Sequence, residues 1–192
     1  MGIKEEKQMI RKIVSQKLSS YSKEWITRES SMIQNHVIKS REYKEAETIF
    51  CYVSFGKEVE TYEILKDALK KGKKVGVPLC IQKGVMEVRN IHSMDDLQPG
   101  AYGILEPKKE TEVMKKEELT YGIIPCVTCD KYGNRMGHGA GYYDRYLSGT
   151  KMIKAIVCFE EIMEKNVPVT SLDITMDQVI SQKGILHIKN PV

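Results

Sequence analysis

Between Asp130 and Leu147 the chain places four glycines within nine residues (Gly133, Gly137, Gly139 and Gly141), with Arg135 among them and Asp144 just behind. Glycine lets the backbone take positive φ and lets a ligand come close to the amides. Gly137-His138-Gly139-Ala140-Gly141 can therefore form an anion nest ahead of a helix N-terminus, with phosphate as its natural guest. No Gly-Lys-Ser/Thr ends the loop, and Tyr142 stands where a dinucleotide fingerprint needs its third glycine. Arg135 offers a planar donor fork to phosphate oxygens and reads as a charged donor, not a core group; Asp144 is a hard oxygen ligand for Mg²⁺. These types point to a nucleoside triphosphate site, set against a plainer alternative, a glycine-rich hairpin with a solvated arginine.

Elsewhere such residue types are sparser. Lys7 and Arg11 are four apart on a predicted helix, so one face presents both. They either reach one anion or form a solvated basic face. Cys126-Val127-Thr128-Cys129 has the spacing of a redox or zinc pair, but it follows Pro125 at a strand end instead of opening a helix. Zinc needs further ligands, and the sequence has no second Cys-x-x-Cys or His pair. These are read as incidental strand cysteines, and all five (Cys51, Cys80, Cys126, Cys129, Cys158) as reduced thiols, mostly in buried strands, with no disulfide. Lys70-Lys71-Gly72-Lys73-Lys74 reads as a helix C-terminus favoured by its dipole, not as a nucleic-acid patch.

The elements that must position these groups follow from periodicity. Met9, Ile10, Ile13, Val14 and Leu18, then Trp25, Ile26, Met32, Ile33 and Val37, recur at helical spacing, which predicts two amphipathic helices with Ser22 as N-cap of the second. Residues 48–53 predict a strand, Ile64 to Leu69 a helix ended by Gly72, and 74–80, 85–91, 121–127, 152–159, 178–181 and 185–188 further strands. Strands alternating with helices imply βαβ units and a largely parallel sheet with helices on both faces. Residues 98–116 read as a long exposed excursion. In such sheets ligands bind beyond the carboxyl ends of the strands, which selects the turns 54–61 and 130–147.

At 192 residues, 41% hydrophobic and 29% charged, the chain has the balance of one globular domain spanning 1–192. A net charge of +4 is too small to imply nucleic acid by itself, yet suits an anionic small ligand. No apolar run approaches the ~20 residues that span a bilayer, and Met1 to Lys7 is too charged for a targeting sequence. A cytoplasmic protein without membrane or nucleic-acid partners, monomeric or weakly dimeric, is expected.

Arg-x-Gly-x-Gly-x-Gly-Tyr-Tyr-Asp, here Arg135 to Asp144, resembles the signature of the 5-formyltetrahydrofolate cyclo-ligase (methenyltetrahydrofolate synthetase) family. The resemblance extends over the chain through the basic first helix, Glu58-Val59-Glu60-Thr61, Gly103-Ile104-Leu105-Glu106-Pro107 and Met176-Asp177-Gln178-Val179-Ile180. It implies a three-layer α/β/α sandwich and conversion of 5-formyltetrahydrofolate and ATP, with Mg²⁺, to 5,10-methenyltetrahydrofolate, ADP and phosphate. It places Lys7, Arg11, Arg135 and the loop residues Gly137, His138, Gly139, Ala140, Gly141, Tyr142 and Tyr143 around ATP, with Arg135 and Tyr143 catalytic. Val53, Phe55, Glu58, His138 and Tyr142 would hold the pterin, whose donor-rich edge suits the Glu58 carboxylate. Asp144 and Asp177 would hold the metal. His138 and Ala140 occupy positions where relatives often carry other side chains, so Arg135 and the backbone amides must do more of the charge neutralisation. From the residues alone, a helix-entry role for Glu58 and core packing for one tyrosine stay open. A sugar-phosphate isomerase or acyl-transfer enzyme of related layered fold is the rival enzyme reading, and a non-catalytic nucleotide- or RNA-binding module the rival of another class.

Overall fold

The computed structural model describes residues 2–100 and 103–189. Two amphipathic helices, α1 (Ile3–Ser19) and α2 (Lys23–Lys39), open it. The Ser22 hydroxyl accepts from the Trp25 amide at 3.2 Å, the expected N-cap. A short α3 (Arg41–Glu45), capped by Ser40, follows and had no clear periodic signal. Then come β1 (Thr48–Cys51), α4 (Tyr62–Lys70), β2 (Lys74–Gln82) and β3 (Val85–Ile91). After the small pair β4 (Leu97–Pro99) and β5 (Leu105–Pro107), the chain forms β6 (Tyr121–Ile124), the short pair β7 (Thr128–Cys129) and β8 (Arg135–Met136), and α5 (Tyr142–Leu147). β9 (Ile153–Val157), β10 (Gln178–Ser181) and β11 (Gly184–His187) complete it.

The main sheet runs β11-β10-β9-β6-β1-β2-β3. Pairings from β10 through β9, β6 and β1 to β2 are parallel, and the outer strands β11 and β3 pair antiparallel. β1 and β6 are buried at every residue, as central parallel strands covered on both faces must be. The register shows the two covers. Ile49 lies beside Tyr121, so both side chains share a face, where Tyr121 meets Tyr43 of α3 edge-on at 6.5 Å. Phe50 alternates to the other face and packs on Tyr143 and Tyr146 of α5, centroids 6.2 and 5.8 Å away. Tyr43 in turn donates to Asp67 of α4 at 2.6 Å. This is the three-layer α/β/α arrangement. Fully burying a side chain such as Phe50 or Ile49 contributes about 1.5–3 kcal/mol, which is how a four-residue strand keeps its place.

Two expectations need correction. The stretch 98–116 is not a free excursion: β4 and β5 pair, Pro107 and Met114 are buried, and Arg89 Nη1 donates to the Lys109 and Thr111 carbonyls. Its few apolar residues act as anchors that the surrounding lysines and glutamates conceal from a composition-based reading. Cys80 is exposed on β2, not buried. Among the described residues no helix is long and apolar enough to cross a membrane.

Candidate active site

A cavity of about 1650 Å³ opens where the parallel strands end. Its wall takes Tyr52, Val53, Phe55 and Glu58 from the turn after β1, and Pro125 and Cys126 from the turn after β6. The loop from Arg135 to Arg145 lines it, and α1 contributes Lys7 and Arg11. The volume exceeds the roughly 300–1,000 Å³ of a single small-ligand site, which leaves room for more than one small molecule.

The glycine loop is held open by its backbone and its neighbours. Gly139 and Gly141 have φ of 100° and 68°, the left-handed region in which L side chains are strained. Arg11 Nε donates to the Gly137 carbonyl at 2.8 Å, and Arg145 ties the loop to the β2–β3 turn through the Ala140 and Gly84 carbonyls. Among the described residues the amides of His138 to Gly141 donate to no group of the chain, which leaves them for a ligand. The helix behind them, α5, has only six residues, so the loop amides and the arginines carry the attraction for an anion.

Arg135 is not the solvated donor its type suggests. It is 4% exposed, donates to the Pro125 carbonyl through Nη1 at 3.2 Å and to Asp144 through Nη2 at 2.9 Å, and lies over the Tyr143 ring. Its buried Nε has no partner in the chain. An unpaired buried donor on a cation is costly, so the guanidinium is held here by its Nη contacts and the Tyr143 ring. Lys7 is paired with Asp173 at 2.7 Å, an acid that no local pattern singled out; Asp173 also caps the turn at Thr170.

Glu58 Oε2 accepts from the Phe55 amide at 2.9 Å, and Oε1 lies 3.9 Å from His138 Nε2. Its half-buried carboxylate faces the cavity beside buried Val53 and exposed Phe55. Burial first, and the negative charge of Glu58 next, push the Tyr143 hydroxyl well above its ordinary value. It stays protonated at neutral pH and can donate a hydrogen bond but not serve as a base. Tyr142 lines the same cavity.

The two carboxylates expected at a metal are not brought together. Asp144 lines the cavity and accepts from Arg135, while Asp177 precedes β10 at the amino end of the parallel strands. There Asp177 accepts from the Lys154 amide at 2.8 Å and pairs with Lys154 Nζ at 2.9 Å. A residue that enters a parallel strand sits at the edge opposite a site built on the carboxyl ends. The lining holds Asp173, Glu58 and Glu106 besides Asp144. Sequence reasoning also missed the wall formed by Pro78, Cys80, Met86, Ile104 and Leu105. Alternation along β2 and β3 marks two faces without saying which one meets a ligand.

The model of the 5-formyltetrahydrofolate cyclo-ligase family matches residues 3–182. Among curated relatives, the 5-formyltetrahydrofolate cyclo-ligase of Mus musculus is 30% identical, with 91% of this chain and 92% of that protein covered. A probable 5-formyltetrahydrofolate cyclo-ligase of Schizosaccharomyces pombe is 27% identical over 95% and 98%. The solved structure of the Aquifex aeolicus 5,10-methenyltetrahydrofolate synthetase superposes with a TM-score of 0.85 at 27% identity, covering 97% of this chain and 94% of the other.

Proposed function

The chain belongs to the 5-formyltetrahydrofolate cyclo-ligase family and is a ligase, and from that premise we propose that its cavity joins ATP to 5-formyltetrahydrofolate and closes the ring to 5,10-methenyltetrahydrofolate. One observation carries this reading: a single large cavity combines a glycine loop with free amides, Arg11, Arg135 and Lys7 with an apolar wall that carries a carboxylate, Glu58. The first set suits phosphates. The second suits a flat heterocycle with hydrogen-bond donors along one edge.

The formyl oxygen is a poor leaving group. In the proposed route it attacks the γ-phosphorus and ADP departs; N10 then attacks the formyl carbon, and the oxygen leaves as part of inorganic phosphate. The chain's part is positioning and charge neutralisation. Arg135 and the loop amides hold the phosphoryl oxygens, with Arg11 and Lys7 beside them. Tyr143, held protonated, donates a hydrogen bond to developing negative charge, Glu58 accepts from the pterin edge, and Phe55 with Tyr142 offers ring surface. The cavity's carboxylates suit Mg²⁺, which keeps one or two carboxylates and takes its other oxygens from phosphate and water. Asp144 would hold it, with Asp173 in the same lining, and the ion would neutralise phosphate charge there.

Turnover followed by absorbance of the methenyl product, with ATP present or withheld, tests the reading. Product that forms without ATP would favour an isomerase or acyl-transfer enzyme. Substrate labelled with heavy oxygen at the formyl group should release one labelled phosphate per turnover in unlabelled water. Unlabelled phosphate at the normal rate would reject direct phosphorylation of that oxygen.

A further inference from the structure

Cys126 lies two residues beyond the last strand residue of β6, and Cys158 two residues beyond Ile156 of β9, its register partner. Parallel neighbours that keep register bring such positions side by side, and the Cys126 thiol donates to the Val157 carbonyl at 3.5 Å. Cys129, at the end of β7, turns back toward the same point. The three sulfur atoms all lie within 4.8 Å of one another, two of the residues buried and Cys126 half-buried in the cavity wall. The third thiol that the sequence reading could not find is therefore Cys158, 29 residues beyond the Cys-x-x-Cys pair.

We propose that Cys126, Cys129 and Cys158 form a trithiolate site for a thiophilic d¹⁰ cation, Zn²⁺ or Cu⁺. Zinc–sulfur bonds of about 2.3 Å in tetrahedral geometry set sulfurs roughly 3.8 Å apart, so the cluster needs to close by an ångström or less. The donor set is all sulfur, which selects soft cations over Mg²⁺ or Ca²⁺. The Arg135 guanidinium, which donates to the carbonyl of Pro125 next to Cys126, sets a positive charge beside the cluster. Cys126 borders the cavity, where water can complete a four-coordinate shell. Binding is Zn²⁺ + 3 RSH → Zn(SR)₃⁻ + 3 H⁺, or Cu⁺ + 3 RSH → Cu(SR)₃²⁻ + 3 H⁺, with no redox change. The cation would tie the ends of β6, β7 and β9 together. Cys129 pairs with Arg135 across the β7–β8 ladder, and Pro125, next to Cys126, accepts from Arg135 Nη1, so the clip would steady the frame that carries this arginine.

The test uses the full chain, stripped of metal and kept reduced with a phosphine. Titration with Cd²⁺ should give a thiolate-to-metal charge-transfer band that saturates at one equivalent, with release of protons and protection of Cys126, the half-buried member of the cluster, from alkylation. Zn²⁺ should displace the band in one arm, and Cu⁺ held in a weak chelator in another; whichever binds more tightly identifies the cation. Cys158→Ala and Cys126→Ala should each weaken binding at least a hundredfold, with the second variant covering the case in which the first fails to fold. Cys80→Ser should leave binding intact. Absence of a one-equivalent phase in folded wild-type protein would overturn the proposal. So would a phase unchanged in the Cys158 or Cys126 variant, or two of the three thiols closing into a disulfide with mild peroxide in a protein that takes up no cation.

Discussion

At Arg135 a guanidinium with 4% exposure joins the Pro125 carbonyl to Asp144 and leaves its buried Nε unpaired. Truncation therefore acts twice. Arg135→Ala should lose about 2 kcal/mol or more of stability, because Asp144 and Pro125 lose their donor, and most of its turnover as well. Arg135→Lys keeps the charge but not the planar fork; it should stay folded and lose activity on the order of a hundredfold. Urea melts beside steady-state kinetics separate the two effects, and a Lys variant with wild-type kinetics would remove Arg135 from the phosphate site.

At the scale of elements, α1 reaches the cavity through two tethers, Arg11 to the Gly137 carbonyl and Lys7 to Asp173. Burial pushes the Asp173 carboxyl up, but hydrogen bonds from Lys7 and Thr170 outweigh it and hold the group below its ordinary 3.8. A depressed carboxylate contributes stability that is fully present above the ordinary value and lost as pH falls through the lower folded-state value. Asp173→Asn should therefore be roughly 1 kcal/mol less stable at neutral pH, with the gap closing below pH 3.8. A constant gap across a pH series of denaturant melts would show that the pair is not what holds α1. The two turns flanking β8 respond differently to a methyl group. Gly133 has φ of 82°, and a Cβ there would lie 2.6 Å from the Met176 carbonyl oxygen, so Gly133→Ala should cost about 2 kcal/mol or more in melting. At Gly139 the added carbon meets the Arg11 guanidinium at an ordinary 3.5 Å. Backbone strain of about 1 kcal/mol should there appear chiefly as a higher KM for ATP.

For the whole molecule, the cavity joins loops from both sides of the sheet's carboxyl edge, so ligands that fill it link parts distant in sequence. ATP with Mg²⁺ at a hundred times its Kd should add about 2.7 kcal/mol of stability. At about 2–4 °C per kcal/mol for a chain of this size, Tm should rise by about 5–10 °C. The folate should add a further increment at its own subsite. A thermal scan in which saturating ATP and Mg²⁺ leave Tm unmoved, with or without the folate, would remove the nucleotide from this cavity.

What the sequence by itself determined is local: the amphipathic α1 and α2, the Ser22 cap, the β-prone runs that imply a parallel sheet, and a glycine loop chemically suited to phosphate. Each of these is encoded within one turn, one pleat or one short motif, where spacing alone orients side chains. Tertiary structure decided the rest. Lys7 and Asp173 meet across 166 residues, and Cys158 joins Cys126 because β9 is the neighbour of β6. Arg135 becomes a buried strut, and Asp177 falls at the wrong end of its strand for a site at the carboxyl edge. Such contacts depend on which strands become neighbours and in what register. That choice comes from the packing of the whole core, to which every buried side chain contributes and which no single segment encodes.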